Sequence, residues 1–362
     1  MSVAPILIMA GGTGGHVFPG LAVAEVLHAR NQSVVWLGTR RGLEAQLVPA
    51  RGIEIEWISI AGVRGRGLVA WVLAPFKIAW SILQALVVMI RRRPGAVLGL
   101  GGFVAGPGGV AAWLARRPLV IHEQNAVAGT TNRLLARFAR RVFEAFAGSF
   151  PDGAGAEEIG NPVRDSIQAV ARPADQSLAS SDRPLRLLVL GGSQGALILN
   201  QTVPAALAEM PPAERPVIRH QAGRSLDEAV AAYGKTNVDA DCVAFIDDMA
   251  EAYAWADLVI ARAGALTLAE LAAAGVGAVL VPYPHAIDDH QRKNAEYFQA
   301  AGAAVIVPQD EMNSARSAAE LKRILSDRGA IADMGLRCHT LMRRDAAERL
   351  ADACMNLAGE RS

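Results

Sequence analysis

ILIMAGGTGGH, Ile6 to His16, and LLVLGGSQGA, Leu187 to Ala196, follow one pattern: an apolar run, paired glycines, a Thr or Ser, another glycine, then a helical stretch. A short apolar run that ends at glycine predicts a strand buried on both faces, as in a parallel sheet. The glycine turn then leaves backbone N–H groups and the positive end of a helix dipole at the C-terminal edge of the sheet. Such a junction suits an anion, worth up to about 2 kcal/mol for a partly buried charge. Neither copy has strict GxGxxG spacing or the Gly-Lys-Ser/Thr of a P-loop, so each alone also describes tight packing.

Working outward, each copy opens a series of short apolar runs. Pro5 to Ala10, Val34 to Leu37, Ile53 to Ile60, Ala96 to Leu100, Leu119 to His122 and Arg141 to Phe146 form the first series. A polar stretch, Ala171 to Pro184, intervenes. Leu185 to Leu190, Val217 to Gln221, Cys242 to Phe245, Leu258 to Ala261, Val279 to Val281 and Ala304 to Val307 form the second. Helical stretches separate the runs, which predicts an α/β fold: two Rossmann-like doubly wound domains facing across a cleft. The expected boundaries are 1–163 and 164–340, with a C-terminal helix at 341–362 returning to the first domain. Gly160-Asn161-Pro162-Val163-Arg164 marks the crossover.

The 362 residues carry 36 Lys and Arg against 35 Asp and Glu, a balance that argues against nucleic acid as a partner. Cys242, Cys338 and Cys354 show no CxxC or Cys/His spacing, which fits a reducing compartment and excludes a zinc framework. The opening MSVAPILIMAGG lacks the basic start and the long apolar run of a signal peptide, and reads as a first strand.

Leu68 to Ile90 is almost wholly apolar and is followed by Arg91, Arg92 and Arg93. On a helical projection Lys77, Ser81 and Gln84 share a narrow face, opposite Leu68, Val72, Pro75, Ile82 and Leu86. A membrane span would hold Lys77 near the bilayer centre at about 2.5–3.5 kcal/mol. An amphipathic helix, half packed on the protein and half at lipid headgroups, avoids that cost. A helix buried against the sheet remains the alternative.

Polar groups gather at three other places. GLGGFVAGPGG, Gly99 to Gly109, is too rich in glycine for a mere connection. His122-Glu123-Gln124-Asn125 ends a buried strand at the edge where doubly wound sheets bind ligands. In RAGALTLAELAAAGVGAVLVPYPHAIDDHQRKN, Arg262 to Asn294, one acid, Glu270, sits inside an apolar helix framed by two polar loops. A carboxylate there is costly to bury without hydrogen bonds. The second strand ends Trp36-Leu37-Gly38-Thr39-Arg40-Arg41, without the acid that grips a ribose in NAD enzymes; Arg40 and Arg41 leave an NADP oxidoreductase as the weaker alternative.

Taken in order, AGGTGGHVFPGLA, GGFVAGPGG, HEQNAVAG, GNPVR, GGSQGA, RAGALTLAE and DDHQRKNA closely resemble the peptidoglycan N-acetylglucosaminyltransferases, the MurG family, from Ile6 to about Asn294. The resemblance implies a GT-B glycosyltransferase. It would move N-acetylglucosamine from UDP-GlcNAc to the C4 hydroxyl of undecaprenyl-diphospho-N-acetylmuramoyl-pentapeptide (lipid I), forming lipid II. It also implies that Ala265, Leu266, Thr267, Leu268, Ala269 and Glu270 wrap the nucleotide sugar, with Glu270 on the ribose hydroxyls. Gln291 would contact the sugar, Ser193 would lie near the diphosphate, and Asn125 and Arg164 would touch the donor. Ile246 would sit where backbone groups read the uracil edge. Thr13, Gly14 and Gly15 would close over the donor from the other domain. Phe103 stands where a tyrosine is common, which puts a hydroxyl contact to the acceptor in doubt.

The expected reaction inverts the anomeric carbon, so a base must take the acceptor's hydroxyl proton; His16 is the first candidate and His122 or Glu123 the second. Backbone N–H groups from Gly192 to Gly195 are expected to meet the charge growing on UDP. No metal and no cofactor are expected, since Asp239-Ala240-Asp241 imitates a DxD pair but lies in a polar connecting stretch. The lipid-linked acceptor implies a peripheral protein on the cytoplasmic face of the inner membrane. Arg64, Arg66 and Arg91 to Arg93 would add about 1 kcal/mol each on an anionic surface. A UDP-GlcNAc epimerase shares fold and donor, and a non-catalytic membrane scaffold would lack donor affinity. HEQN and the apolar–basic helix speak against the epimerase, and the two glycine turns with Glu270 speak against the scaffold.

Overall fold

The computed structural model describes residues 4–60, 67–170, 178, 181–192, 195–312 and 315–360. The chain divides into two units, 1–164 with 343–362, and 165–342. Arg164 therefore goes with the first unit, and so does the chain from Arg343 onward.

In the first unit a seven-stranded parallel sheet forms from β1 (Ile6–Met9), β2 (Val34–Gly38), β3 (Glu54–Trp57), β4 (Ala96–Gly99), β5 (Leu119–Glu123), β6 (Arg141–Glu144) and β7 (Ala156–Glu158). Their order is β3-β2-β1-β4-β5-β6-β7. β1 is buried along its whole length, with Ile6 opposite Val34 on one side and Ala96 on the other. β7 is an element the apolar pattern did not announce: its AEE is half-exposed on the sheet edge and pairs only with β6. Helix Ala346–Gly359 packs against helix Gly14–Ala29, with Arg30 Nη1 2.5 Å from Asp352 Oδ1.

The second unit repeats the plan with β8 (Arg186–Leu190), β9 (Val217–Gln221), β10 (Asp241–Val243), β11 (Leu258–Ala261), β12 (Gly277–Leu280) and β13 (Ala304–Ile306). All pairs are parallel, in the order β10-β9-β8-β11-β12-β13. β8 occupies in this sheet the place of β1 in the other, with Leu187 opposite Ile218 and Leu258. The repeated sequence pattern thus marks the same position twice, where strand order reverses and a doubly wound sheet opens a crevice.

Helix Gly67–Arg92 is the one described helix long and apolar enough to cross a membrane. Its inward face holds Ala74, Ser81, Ala85, Val88 and Met89. Ser81 Oγ donates to the carbonyls of Lys77 and Ser59, each at 2.8 Å, and Gln84 Oε1 accepts from the Ser59 N–H at 2.8 Å. Ser81 and Gln84 therefore grip the protein. The outward face is a stripe of Leu73, Phe76, Trp80, Leu83, Val87 and Ile90, spaced three and four residues apart and all exposed.

The arginines that follow depart from expectation. Arg91 pairs with Glu56; Arg92 Nε lies 2.6 Å from Glu56 Oε1 and its Nη1 3.0 Å from Glu54 Oε2. Glu54 and Glu56 point the same way from edge strand β3, so the guanidinium charge is answered within the protein rather than offered to lipid. Arg64 and Arg66 lie outside the described residues.

Candidate functional site

In the first unit the loops after β1, β4 and β5 leave from neighbouring strand ends. The loop after β1 is tied down by a residue that sequence reasoning missed. Glu44, fully buried, accepts from the Gly12 N–H at 2.9 Å, the Thr39 N–H at 2.9 Å and Thr39 Oγ1 at 2.8 Å. An acid does come back to the end of β2, but its oxygens are spent on the glycine turn. The turn is closed from the other side by Gly102 at φ 76°, where a Cβ would stand 2.4 Å from the Gly11 carbonyl oxygen. Thr13 then opens helix Gly14–Ala29 without a side-chain capping bond, and His16 follows in its first turn. The donors of Gly14 and Gly15 fall in that uncapped turn.

HEQN at the end of β5 resolves into separate jobs. Glu123 is buried and accepts four N–H bonds: Asn125 N and Nδ2 at 3.0 Å, Gly129 N at 3.1 Å and Asn132 Nδ2 at 2.8 Å. A carboxylate so engaged shapes a loop and has no lone pair turned toward a substrate, which speaks against its reading as a base. His122 is fully buried, with Nε2 2.8 Å from the Gly160 carbonyl and Nδ1 3.1 Å from Gln124 Nε2. Burial pushes its pKa down to about 4, against the raising effects of the Gly160 bond and Glu123. Its ring is neutral, enclosed and occupied on both nitrogens, so it too is badly placed to take a proton from substrate. His16, by contrast, is half-exposed, and among the described residues only Gln124 hydrogen-bonds its ring, Oε1 to Nδ1 at 3.0 Å. Arg164 lays its guanidinium over the ring of Phe18 on the same helix, 5.0 Å from the centroid. Phe103 is exposed.

In the second unit the glycine turn after β8 is held by Gln221, whose Oε1 accepts from Gly192 N at 2.9 Å while its Nε2 donates to the carbonyls of Gly192 and Ala244. Gly195 N donates to the Gly192 carbonyl at 2.9 Å. Gly223, at φ 66°, passes so close that a Cβ would lie 2.3 Å from Gly195 N. The N–H groups of Gly192 and Gly195, expected to face a diphosphate, are thus consumed by the turn itself. What the turn leaves is the start of helix Leu197–Ala208, which no side chain caps. Ser193 lies outside the described residues.

β11, the neighbour of β8, leads through Arg262 and Gly264 into helix Ala265–Ala274, again without a side-chain cap. Elsewhere in the same unit Asp248 and Asp327 do cap their helices, each accepting an N–H at 2.9 Å. The starts of helices Leu197–Ala208 and Ala265–Ala274, which follow neighbouring strands β8 and β11, leave backbone N–H groups that a ligand's negative charge would complete. On this helix Ala265 and Leu268 are buried, while Leu266, Thr267 and Ala269 are half-exposed. Glu270 is buried and accepts from the Tyr253 hydroxyl at 3.0 Å.

The loop beyond β12 is fixed by Arg262, which donates to the Val281 carbonyl at 3.1 Å and to Gln309 Oε1 at 2.6 Å and covers the Tyr283 ring. Gln291, at the start of helix His290–Ala300, accepts from Tyr283 N at 3.0 Å, and buried Asn294 donates to the Ala263 carbonyl at 3.1 Å. The loop before helix Ala265–Ala274 and the loop before helix His290–Ala300 are thus bound to one another. Ile246 is half-buried in the loop between β10 and Asp248. Asp239 and Asp241 are exposed at the edge strand, and Asp289 pairs with Arg292.

Comparison with known proteins gives the family. Residues 6–144 match the glycosyltransferase family 28 N-terminal domain, and residues 186–350 its C-terminal domain. A protein of Alkalilimnicola ehrlichii is 57% identical over 98% of this chain and 99% of its own length. One of Nitrosococcus oceani is 56% identical over 98% of each. Both are named UDP-N-acetylglucosamine–N-acetylmuramyl-(pentapeptide) pyrophosphoryl-undecaprenol N-acetylglucosamine transferase. The crystal structure of Acinetobacter baumannii MurG superposes with a TM-score of 0.82 at 40% identity, covering 97% of this chain and 99% of that one. With two Rossmann-like units of the GT-B kind and both of these domains in order, the chain belongs to glycosyltransferase family 28 and, within it, to the peptidoglycan N-acetylglucosaminyltransferases.

Proposed function

We propose that this protein transfers N-acetylglucosamine from UDP-GlcNAc to the C4 hydroxyl of lipid I, giving lipid II with inversion at the transferred sugar, and so serves peptidoglycan synthesis, cell shape and cell division. The observation that carries this reading is the 57% identity, over nearly the whole chain, to a relative named for that transfer.

The second unit holds the donor. Glu270 takes the ribose diol, Ala265 to Ala269 line the nucleotide sugar, Gln291 meets the sugar and Ile246 sits at the uracil. The uncapped starts of helices Leu197–Ala208 and Ala265–Ala274 answer the diphosphate charge, with Ser193 beside it. From the first unit, Thr13, Gly14, Gly15, Asn125 and Arg164 complete the donor site. His16 takes the hydroxyl proton as the oxygen attacks the anomeric carbon, and UDP leaves with the electron pair of the broken bond. The chemistry needs no metal, because helix dipoles meet the leaving-group charge. Asp248 already caps a helix and Asp289 pairs with Arg292. Incubation with UDP-GlcNAc and a lipid I analogue in excess chelator is expected to give UDP and the disaccharide in equal amounts. UDP without disaccharide, or no turnover until metal returns, would contradict this reading.

The protein works as a peripheral protein at the cytoplasmic face of the inner membrane, docking through the apolar stripe of helix Gly67–Arg92. Phe76 and Trp80, 73% and 57% exposed, each stand to gain about 2 kcal/mol on entering the interface. Replacing both by Ser is expected to cut co-sedimentation with anionic vesicles by more than tenfold while turnover of a short-chain, water-soluble acceptor persists. Unchanged sedimentation would remove this docking mode.

A further inference from the structure

We infer that His122 and Gln124 form a positioning relay that fixes the tautomer of His16, keeping its proton on Nδ1 and leaving the Nε2 lone pair as the open acceptor of the ring. The inference rests on the reading of His16 as the base and adds to it which nitrogen does the work and what makes it so.

Two backbone carbonyls decide the arrangement, since a carbonyl only accepts. The Gly160 oxygen lies 2.8 Å from His122 Nε2, so that nitrogen carries the proton. The ring is neutral, its pKa lowered by burial, so Nδ1 presents a lone pair. Gln124 Nε2 lies 3.1 Å from that lone pair and also 3.2 Å from the His122 carbonyl oxygen. Either contact demands an N–H, and together they exclude the flipped amide. Gln124 Oε1 must then face His16 Nδ1, at 3.0 Å, where an oxygen requires a proton from the ring. A second anchor, Asn161 Nδ2 donating to the Gln124 carbonyl at 3.0 Å, holds the residue itself in place.

The consequence is chemical. When His16 Nε2 takes the proton, the O–H bond of the acceptor breaks and an N–H bond forms, and the ring becomes an imidazolium. Gln124 Oε1 goes on accepting the Nδ1 proton, so nothing has to turn over as charge develops. Neither His122 nor Gln124 touches substrate in this scheme; both act through His16.

The test is ¹⁵N NMR of the full chain labelled at histidine, of which there are seven. The His16 signals are identified by their loss in His16→Gln. The relay predicts a protonated Nδ1 and a bare Nε2 for neutral His16; an Nε2–H ring, or averaging between the two forms, would overturn it. Gln124→Met, which has no strong acceptor, is expected to abolish the Nδ1–H signature. Its kcat should fall roughly tenfold or more with KM for UDP-GlcNAc unchanged. Gln124→Glu keeps an acceptor toward His16 but loses the N–H that His122 Nδ1 and its carbonyl demand, so it is expected to restore the Nδ1–H signature and only part of kcat. A Met variant with the wild-type tautomer and kcat would overturn the relay as well. Failure of the base assignment reads out separately, as an undiminished kcat in His16→Ala.

Discussion

His16→Ala is expected to lower kcat by about 10²–10⁴ while leaving the affinity for UDP-GlcNAc within a few-fold of normal. The size follows from what a positioned base supplies to an attacking hydroxyl, and the selectivity from where His16 stands. It sits in the first turn of helix Gly14–Ala29, half-exposed, and among the described residues its side chain bonds to Gln124 rather than to any group assigned to the nucleotide. The alanine keeps the helix and the glycine turn, which Glu44 holds independently. Steady-state kinetics with a soluble acceptor and calorimetric titration with UDP-GlcNAc separate the two quantities. A variant that turns over normally would return the search to another base. His122 and Glu123 would be poor replacements, given their burial and full complement of partners.

Glu270→Gln is expected to weaken UDP-GlcNAc binding by about 1.5–3 kcal/mol, some 10- to 150-fold. The substitution keeps the side-chain volume and leaves an oxygen for the Tyr253 hydroxyl, so the helix and its packing are undisturbed. What it loses is the charge and the second acceptor with which a carboxylate holds both hydroxyls of a ribose. Tyr253→Phe serves as the control for orientation: it leaves the charge and removes one bond to the carboxylate, and a smaller loss is expected. Affinity within twofold of normal in Glu270→Gln would remove the ribose role.

The two sheets were legible because β1 and β8 are short apolar runs ending in glycine and each opens a series of further short apolar runs with helical stretches between them. β7 was not, because its AEE has no apolar face and owes its pairing to β6 alone. In helix Gly67–Arg92 the projection separated polar from apolar positions without saying which would be packed. Ser81 and Gln84 bond to Ser59, Lys77 is exposed, and Leu73, Phe76, Trp80, Leu83, Val87 and Ile90 are left open. The partners of Arg91 and Arg92 left a trace, two acids on the same face of Glu54-Ile55-Glu56-Trp57, though only the fold brings them beside the helix end.

Within the site, residue types were legible and their roles were not. HEQN announced a polar strand end, yet its division into a loop-shaping Glu123, a buried His122 and a bridging Gln124 depends on Gly160, Asn132 and His16, each from a different element. Glu44 gave no signal beyond an acid in the short stretch Glu44-Ala45-Gln46-Leu47, and the glycine turns were read as open donors when much of their N–H capacity is turned inward.

The most direct test is a crystal structure of the protein with UDP-GlcNAc bound. The account predicts the ribose hydroxyls within hydrogen-bond distance of the Glu270 carboxylate and the diphosphate at the uncapped start of helix Ala265–Ala274. A nucleotide bound away from β8 and β11, or a ribose that Glu270 does not touch, would contradict it.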